Sequence, residues 1–264
     1  MLLYIVWDVN PEIVSLGFLE IRWYGLMFAL AFYLGYLIGR DMFRKEGIAE
    51  KTLDNLLVWI IVATVIGARL GHTLFYQPAY YLKNPLEILM IWEGGLASHG
   101  AAITIIIALW WFARRQNWNF FWIFDRTAVV VALAGFFIRM GNLFNSEIFG
   151  KPTSLPWGFV FARVDNLPRH PTQLYEGLSY LTIFFLLHWY YRKTNRQPVM
   201  GKLSGWFLIL VFGVRILIEF LKEPQVMFEQ AMTLNMGQWL SIPMVIAGIL
   251  VLILTRKKER NNTV

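Results

Sequence analysis

The dominant pattern along this chain is a series of long apolar stretches separated by short polar segments. A helix needs roughly 20 such residues to cross about 30 Å of hydrocarbon. Seven stretches approach that length, and they run approximately from Trp23 to Gly39, Leu56 to Tyr76, Leu96 to Phe112, Phe121 to Ile138, Leu174 to Tyr191, Leu203 to Leu221 and Gln238 to Leu254. The pattern predicts an all-α polytopic membrane protein with seven transmembrane helices, forming a single integral membrane domain over residues 1–264.

The composition supports a membrane protein and narrows the chemistry. Hydrophobic residues make up 57% of the chain and charged residues only 16%, which is far more apolar than a soluble domain of this size. Cysteine is absent, which excludes disulfides, thiolate metal sites and a cysteine nucleophile. Any thiol chemistry must therefore come from a substrate.

Basic residues concentrate in alternate polar segments, which predicts the orientation of the chain. Four polar segments are rich in basic residues. They hold Arg40, Arg44, Lys45 and Lys51, then Arg114, Arg115 and Arg126, then Arg192, Lys193, Arg196 and Lys202, and finally Arg256, Lys257, Lys258 and Arg260. Because basic loops stay in the cytoplasm, the amino terminus is expected outside and the carboxyl terminus inside. The net charge of +7 then comes from the basic segments that set the orientation in the membrane. It does not imply a nucleic-acid partner.

The polar segment 145–171 is the longest of those predicted to lie outside. Prolines surround a short Phe159-Val160-Phe161 run within it. Prolines and glycines mark turns, and a short apolar run between turns favours a strand. We expect a small extracytoplasmic subdomain between the fourth and fifth transmembrane helices, with a short hairpin.

A dense polar cluster closes the apolar run from Thr127 to Ile138. It reads Arg139-x-Gly141-Asn142-x-x-Asn145-x-Glu147-x-x-Gly150. An arginine, two amides and a carboxylate are costly at a membrane boundary unless they contact something. The polar part of a lipid is the expected ligand.

Other candidate residues fall on the same predicted side of the membrane, and each also has a structural interpretation. Tyr24 fits an ordinary interfacial aromatic belt, and His99 fits a helix-end residue. Arg215 and Glu219 are four residues apart, so they fit a structural ion pair as well as a functional one. Arg69 is interpreted as a packing or helix-end residue. Their joint occurrence favours a functional site.

The chain resembles the prolipoprotein diacylglyceryl transferases along nearly its whole length. The resemblance is carried by the Arg139 to Gly150 cluster and by Arg22-Trp23-Tyr24-Gly25, Gly67-Ala68-Arg69-Leu70-Gly71-His72, Gly94-Gly95-Leu96-Ala97-Ser98-His99-Gly100 and His170-Pro171-Thr172-Gln173-Leu174-Tyr175-Glu176. Two positions depart from the family pattern: Ile138 replaces a glycine and Leu143 a phenylalanine. Neither removes a polar group.

The resemblance implies transfer of the diacylglyceryl group of phosphatidylglycerol to the lipobox cysteine thiol in the signal peptide of a prolipoprotein. The products would be a thioether and glycerol 1-phosphate. Such a displacement needs cations near the phosphate and help with the thiol proton, but no metal or nucleotide cofactor. The resemblance also implies a monomer in the bacterial cytoplasmic (inner) membrane. Membrane lipids would surround it, and its active site would lie toward the extracytoplasmic side.

The same resemblance suggests roles for individual residues. Arg139 and Arg215 are suited to bind the phosphate, and His99 is the candidate base, although the arginines themselves could instead lower the thiol pKa. The catalytic set is therefore His99, Arg139 and Arg215. The substrate-binding set is Tyr24, Asn142, Asn145, Glu147, Glu219, Gly95 and Gly100. Within it, Glu147 and Glu219 are expected to orient the arginines, and the glycines to let backbone approach the lipid headgroup.

A polytopic lipid or solute transporter is the alternative, because intramembrane Arg and Glu residues also line transport paths. That alternative predicts polar residues spread through the membrane depth and repeat symmetry. The candidate residues instead gather toward one side, which favours the transferase.

Overall fold

The computed structural model describes residues 4–17, 20–91, 94–95, 97–224 and 232–262. Leu96, the predicted start of the third apolar stretch, lies outside these ranges. So do the side chains from 258 onward, which include the predicted cytoplasmic residues Lys258 and Arg260. The chain, predicted as one domain, groups into two compact units: Met1–Gly39 with Asp125–Val264, and Arg40–Phe124. They are called the first and second unit below.

Helices dominate both units, and each predicted apolar stretch overlaps one of them. The helices are α1 (Trp23–Lys45), α2 (Glu50–Phe75), α3 (Pro78–Lys83), a 3-10 helix (Pro85–Leu89), α4 (Ser98–Arg115), α5 (Phe120–Phe144), α6 (Thr172–Lys193), α7 (Lys202–Glu219) and α8 (Met236–Asn262). Within the described residues, α1, α2, α5 and α8 are long and apolar enough to span a membrane. The structure thus confirms a helical, multi-pass type of chain. Seven spans and their orientation remain predictions.

The predicted hairpin is present, and it carries an unpredicted third strand. In the first unit, β4 (Phe159–Phe161) pairs antiparallel with β5 (Pro168–Arg169). Near the amino terminus, β1 (Ile5–Trp7) joins the other edge of β4 in parallel. A separate hairpin of β2 (Glu12–Ser15) and β3 (Glu20–Arg22) leads into α1. These short strands modify the all-α expectation.

Small residues let the helices of the second unit pack closely. A Cβ on Gly71 of α2 would lie 2.8 Å from the Cα of Gly100 in α4. A Cβ on Gly67 would overlap Thr104, whose hydroxyl donates across the helix pair to the Ala63 carbonyl at 2.7 Å. Close backbone approach of this kind is the usual basis of helix association in membranes.

Asp125 holds the start of α7 in the first unit. Its carboxylate accepts hydrogen bonds from the backbone N–H of Gly201 at 2.8 Å and of Ser204 at 2.7 Å. Because the first N–H groups of a helix lack internal partners, a buried carboxylate from a neighbouring helix is an effective cap. The next residue, Arg126, was expected between helices, but it lies within α5 and is buried.

Candidate active site

The polar cluster predicted from the sequence forms the end of α5 and the strained loop that follows it. Ser146 and Ile148 both have left-handed backbone conformations, with φ of 55° and 57°. This conformation is rare for a β-branched residue and persists only where the surroundings enforce it. These two left-handed residues flank Glu147 on both sides.

Side chains at the start of α6 hold this loop. The Thr172 hydroxyl donates to the Ile148 carbonyl at 2.8 Å, and the Gln173 amide donates to the Glu147 carbonyl at 2.7 Å. Both side chains are fully buried, where an unpaired donor would be costly, so these hydrogen bonds favour this loop conformation. The His170 to Glu176 motif was quoted above without a role. The structure supplies one, because the motif anchors the loop that carries Glu147.

Gly150 lies where three segments of the first unit meet. Its N–H donates to the His170 carbonyl at 2.8 Å, and the neighbouring Lys151 N–H donates to the Leu221 carbonyl at 2.8 Å. A Cβ on Gly150 would lie 2.6 Å from the His170 Cβ and 2.7 Å from the Leu221 oxygen. Only glycine fits this position without separating the segments.

Arg139 is buried and pairs with Glu176 of α6. Its Nε lies 2.6 Å from Oε2 of Glu176, and its Nη1 donates to Oδ1 of Asn142 at 3.0 Å. Glu147 was expected to orient an arginine, but it is linked to Arg139 only through Asn142, whose amide donates to Glu147 at 2.8 Å. Asn145 donates to the same Glu147 oxygen at 3.4 Å.

Lys222 joins this pair to the second predicted arginine. Its Nζ donates to Glu176 at 2.9 Å and to Glu219 at 2.8 Å, and its side chain is only 3% exposed. Glu219 also forms an ion pair with Arg215 at 3.4 Å, as the four-residue spacing predicted. Lys222 was not among the residues predicted for the site. Its spacing of three from Glu219 was the available signal.

The resulting charge network is balanced and mainly buried. Arg139, Arg215 and Lys222 pair with the carboxylates Glu176 and Glu219, and Glu147 joins them through Asn142. Burying a charge is tolerable only when it is paired with an opposite charge, as Glu176 is with Arg139 and Lys222. The Arg215 side chain is 33% exposed. It is therefore the cation of the network most open to an incoming anion.

Tyr24 at the start of α1 borders the network. A Cβ on Gly141 would lie 2.8 Å from Cδ2 of the Tyr24 ring, so this glycine of the cluster makes room for the tyrosine. The Tyr24 hydroxyl lies within electrostatic reach of Glu147 and Arg139. Trp23 stacks on Phe144 with ring centroids 4.7 Å apart, which fixes the start of α1 against the end of α5.

The second unit contains the remaining predicted site residues. His99 lies in the first turn of α4, with its ring centroid 5.5 Å from Phe75 and 5.7 Å from Tyr76. Gly100 was expected to let the lipid headgroup approach, but it faces α2, where any side chain would overlap Gly67. Gly95 has a left-handed φ of 71°, and a Cβ there would lie 2.6 Å from the His72 ring. Both glycines therefore have local packing roles.

Arg69 has the packing role that the sequence predicted. Its guanidinium donates to the carbonyls of Ile88 at 2.9 Å and Gly94 at 2.6 Å, and to those of Glu87 and Gly95. Its charge also lies over the Tyr81 ring at 5.1 Å. Backbone carbonyls are fixed, neutral acceptors, so Arg69 ties the segment after α3 to α2.

The loop 145–171 carries its own polar contacts outside the helices. Arg169 donates to Asp165 at 2.6 Å, and this hydrogen bond holds the pKa of the Asp165 carboxyl below its ordinary value. Partial burial lowers the pKa of His170. The Trp157 indole and the His170 ring both contact the Tyr175 hydroxyl, at 2.9 and 3.3 Å.

The structure thus brings most predicted site residues into one network in the first unit. The residues of that network are Tyr24, Arg139, Asn142, Asn145, Glu147, Arg215 and Glu219, and the sequence analysis missed Glu176 and Lys222 as members. His99, Gly95 and Gly100 belong to the second unit.

Comparison with known proteins agrees with these motifs. The profile of the prolipoprotein diacylglyceryl transferase family matches residues 11–254. A phosphatidylglycerol–prolipoprotein diacylglyceryl transferase from Tolumonas auensis is 48% identical, over 96% of this chain and 98% of its own length. Proteins of the same name from Chloroherpeton thalassium and Porphyromonas gingivalis are each 46% identical, over 97% and 95% of this chain and 96% and 94% of their own. These matches favour a transferase over a transporter, and the chain belongs to the prolipoprotein diacylglyceryl transferase family.

Proposed function

We propose that this protein transfers the diacylglyceryl group of phosphatidylglycerol to the cysteine thiol of a prolipoprotein signal peptide, the first step of lipoprotein maturation. Family membership supports the reaction. The observation that carries the proposal for this chain is the buried network from Arg139 through Glu176, Lys222 and Glu219 to Arg215. It supplies cations held in fixed orientations, which a phosphate leaving group requires.

The reaction is a substitution at a glycerol carbon of the lipid. The thiolate sulfur forms a bond to that carbon while the bond from carbon to the phosphate oxygen breaks. Glycerol phosphate leaves with the electron pair, and the thiol proton passes to a base or to solvent. Negative charge grows on the phosphate as the bond breaks, so preorganised cations lower the barrier.

Arg139 and Arg215 are the proposed phosphate ligands, because a guanidinium can donate two parallel hydrogen bonds to phosphate oxygens. Asn142 and Asn145 are proposed to bind glycerol or phosphate oxygens. The Asn145 amide is the freer of the two, since its hydrogen bond to Glu147 is long at 3.4 Å. Tyr24 would add a hydroxyl contact at the edge of the same network.

His99 is the proposed base for the thiol proton. The proposal rests on the motif around it and on the chemistry of imidazole, which titrates near neutral pH. The arginines could replace it by lowering the pKa of the thiol electrostatically. Gly95 and Gly100, beyond their packing roles, are proposed to border the lipid headgroup.

We further propose seven transmembrane helices with the amino terminus outside, in the cytoplasmic (inner) membrane of a bacterium, and the active site toward the extracytoplasmic side. Both units would serve one transferase domain in a monomer. A reporter fused after Arg260 should be cytoplasmic, and one inserted near Asp165 should be outside. Both reporters on one side would exclude this topology.

One assay tests the function directly. The purified protein is incubated with phosphatidylglycerol and a lipobox peptide, and the reaction is followed by mass spectrometry of the peptide and release of glycerol phosphate. We expect equal amounts of diacylglyceryl peptide and glycerol phosphate. A peptide with serine in place of the cysteine is the matched control and should stay unmodified. No product from the folded protein would reject the proposed function.

A further inference from the structure

The start of α8 is built around a reciprocal pair of hydrogen bonds. The backbone N–H of Gln238 donates to Oδ1 of Asn235 at 3.0 Å, and the backbone N–H of Asn235 donates to Oε1 of Gln238 at 3.1 Å. This is a capping box, in which two helix-end donors are satisfied by each other's side chains. It assigns the Asn235 oxygen to the helix and leaves the Nδ2 group as an outward donor.

That outward donor contacts Glu219, the carboxylate that pairs with Arg215. Asn235 Nδ2 donates to Oε2 of Glu219 at 3.0 Å and to its backbone carbonyl at 3.3 Å. The other carboxylate oxygen, Oε1, faces Lys222 at 2.8 Å and Arg215 at 3.4 Å. The two oxygens of Glu219 therefore have separate tasks: one is held by α8 and the other holds the cations.

Gly237 adds a steric constraint to the same carboxylate. A Cβ at this position would overlap the Glu219 carboxylate, so only glycine lets Glu219 lie against the first turn of α8. The amino-terminal end of a helix also favours negative charge. The Gln238 side chain donates to the Ile216 carbonyl at 3.3 Å, which ties the same turn to α7.

We propose that Asn235 and Gly237 are positioning residues for the transferase reaction. They act through Glu219, whose orientation sets that of Arg215, and do not touch the substrate. The proposal rests on the proposed function, in which Arg215 binds the donor phosphate. A carboxylate free to rotate would let Arg215 turn away from the phosphate, and small displacements of a positioning group are costly to catalysis.

The substitution Asn235→Asp separates this role from helix capping. Aspartate caps a helix as well as asparagine does, so α8 and the thermal unfolding temperature should be retained. The new carboxylate, however, cannot donate to Glu219 when ionised and repels it. We expect kcat/KM for phosphatidylglycerol to fall about ten- to a hundredfold near neutral pH.

The pH dependence of this variant is the readout that a merely structural role would not change. The charged groups that face the substituted side chain are Glu219 and Arg215 of α7 and Lys222, with Glu176 of α6 behind Lys222. When protonated, the aspartic acid can donate to Glu219 as the amide does. Because two carboxylates sharing a site raise the pKa of one of them, the activity deficit of Asn235→Asp relative to the original protein should shrink as the pH falls from about 8 to about 5.5.

Two further variants make the test specific. Asn119 accepts a hydrogen bond from the Phe121 N–H at 2.9 Å at the start of α5, so Asn119→Asp makes the same chemical change at another helix end. It should leave kcat, KM and their pH profiles unchanged. Gly237→Ala should lower kcat/KM at all pH values, because it displaces the Glu219 carboxylate without adding a charge.

The outcomes separate the two proposals. Unchanged kinetics in Asn235→Asp and Gly237→Ala, alongside a strongly impaired Arg215→Lys, would overturn the positioning role. A loss that is independent of pH and accompanied by a lower unfolding temperature would also overturn it, since capping alone would then explain the effect. Absence of product from the unsubstituted protein would instead reject the proposed function, and the positioning role with it.

Discussion

Two buried arginines, Arg69 in the second unit and Arg139 in the first, differ in the kind of group that their guanidinium contacts. Arg69 donates to backbone carbonyls, among them those of Ile88 and Gly94. Arg139 pairs with the carboxylate of Glu176 and belongs to a network of charged side chains that reaches Arg215. Both lie in glycine-containing motifs, so their sequence contexts look alike.

The difference lies in whether the partners can respond to a ligand. Backbone carbonyls are held by the fold and carry no net charge, so Arg69 has a fixed structural task. Carboxylates, amides and ammonium groups can exchange partners when an anion arrives, since their side chains rotate. An arginine bound to charged side chains is therefore the better candidate for binding a phosphate.

His99 tests whether a residue of the second unit takes part in catalysis, because it lies in that unit with Arg69 but is the proposed base. If it removes the thiol proton, His99→Gln should lower turnover by roughly two to four orders of magnitude. Raising the pH should partly restore the rate of the variant, because a free thiol ionises at about pH 8.5. Turnover near the original rate at neutral pH would return His99 to its helix-end role.

Arg139 tests the first side of the comparison. Arg139→Lys keeps the charge beside Glu176, but one ammonium cannot reproduce two parallel hydrogen bonds to a phosphate. We expect kcat to fall by about two to three orders of magnitude, the scale found when one donor to a developing oxyanion is lost. The measurement is single-turnover product formation at matched amounts of folded protein. Near-normal turnover would indicate a structural arginine.

Arg69 tests the opposite side, with stability as the main readout. Arg69→Met would remove the charged donor from the carbonyls of Ile88 and Gly94, at a cost of about 1.5–3 kcal/mol in the free energy of unfolding. Thermal unfolding in detergent should detect this loss, while turnover per folded molecule stays near the original value. A stable variant without activity would contradict the structural role and place Arg69 with Arg139.

The smallest expected effect concerns the partly exposed ion pair of Asp165 and Arg169. Because the folded-state pKa of Asp165 is lowered, its stabilising contribution is present above the ordinary pKa of about 3.9 and is lost as the pH falls through the folded value. The pair is partly exposed, so the contribution should stay below about 1 kcal/mol. Unfolding of Asp165→Asn, followed from about pH 6 to pH 3, should lack this component. An identical pH dependence in both proteins would contradict the assignment.

Much of the site could be predicted because its residues cluster along the chain. The Arg139 to Gly150 cluster is a continuous segment, and Arg215 and Glu219 are one helical turn apart. The partner of Arg139 was less accessible. Glu147 is nearer in sequence, yet the direct ion pair goes to Glu176, because the packing of α6 against α5 decides which carboxylate faces the guanidinium.

The approximate positions of α1, α2 and α4 to α8 could be predicted from the amino-acid sequence, because apolar length is a local property of the chain. Only the tertiary structure decided the long-range pairings. β1 pairs with β4 from a distant part of the chain, Lys222 links two carboxylates on different helices, and Asn235 turns its amide toward Glu219. Such contacts depend on the distance and orientation of segments far apart in the chain, and no local pattern encodes them.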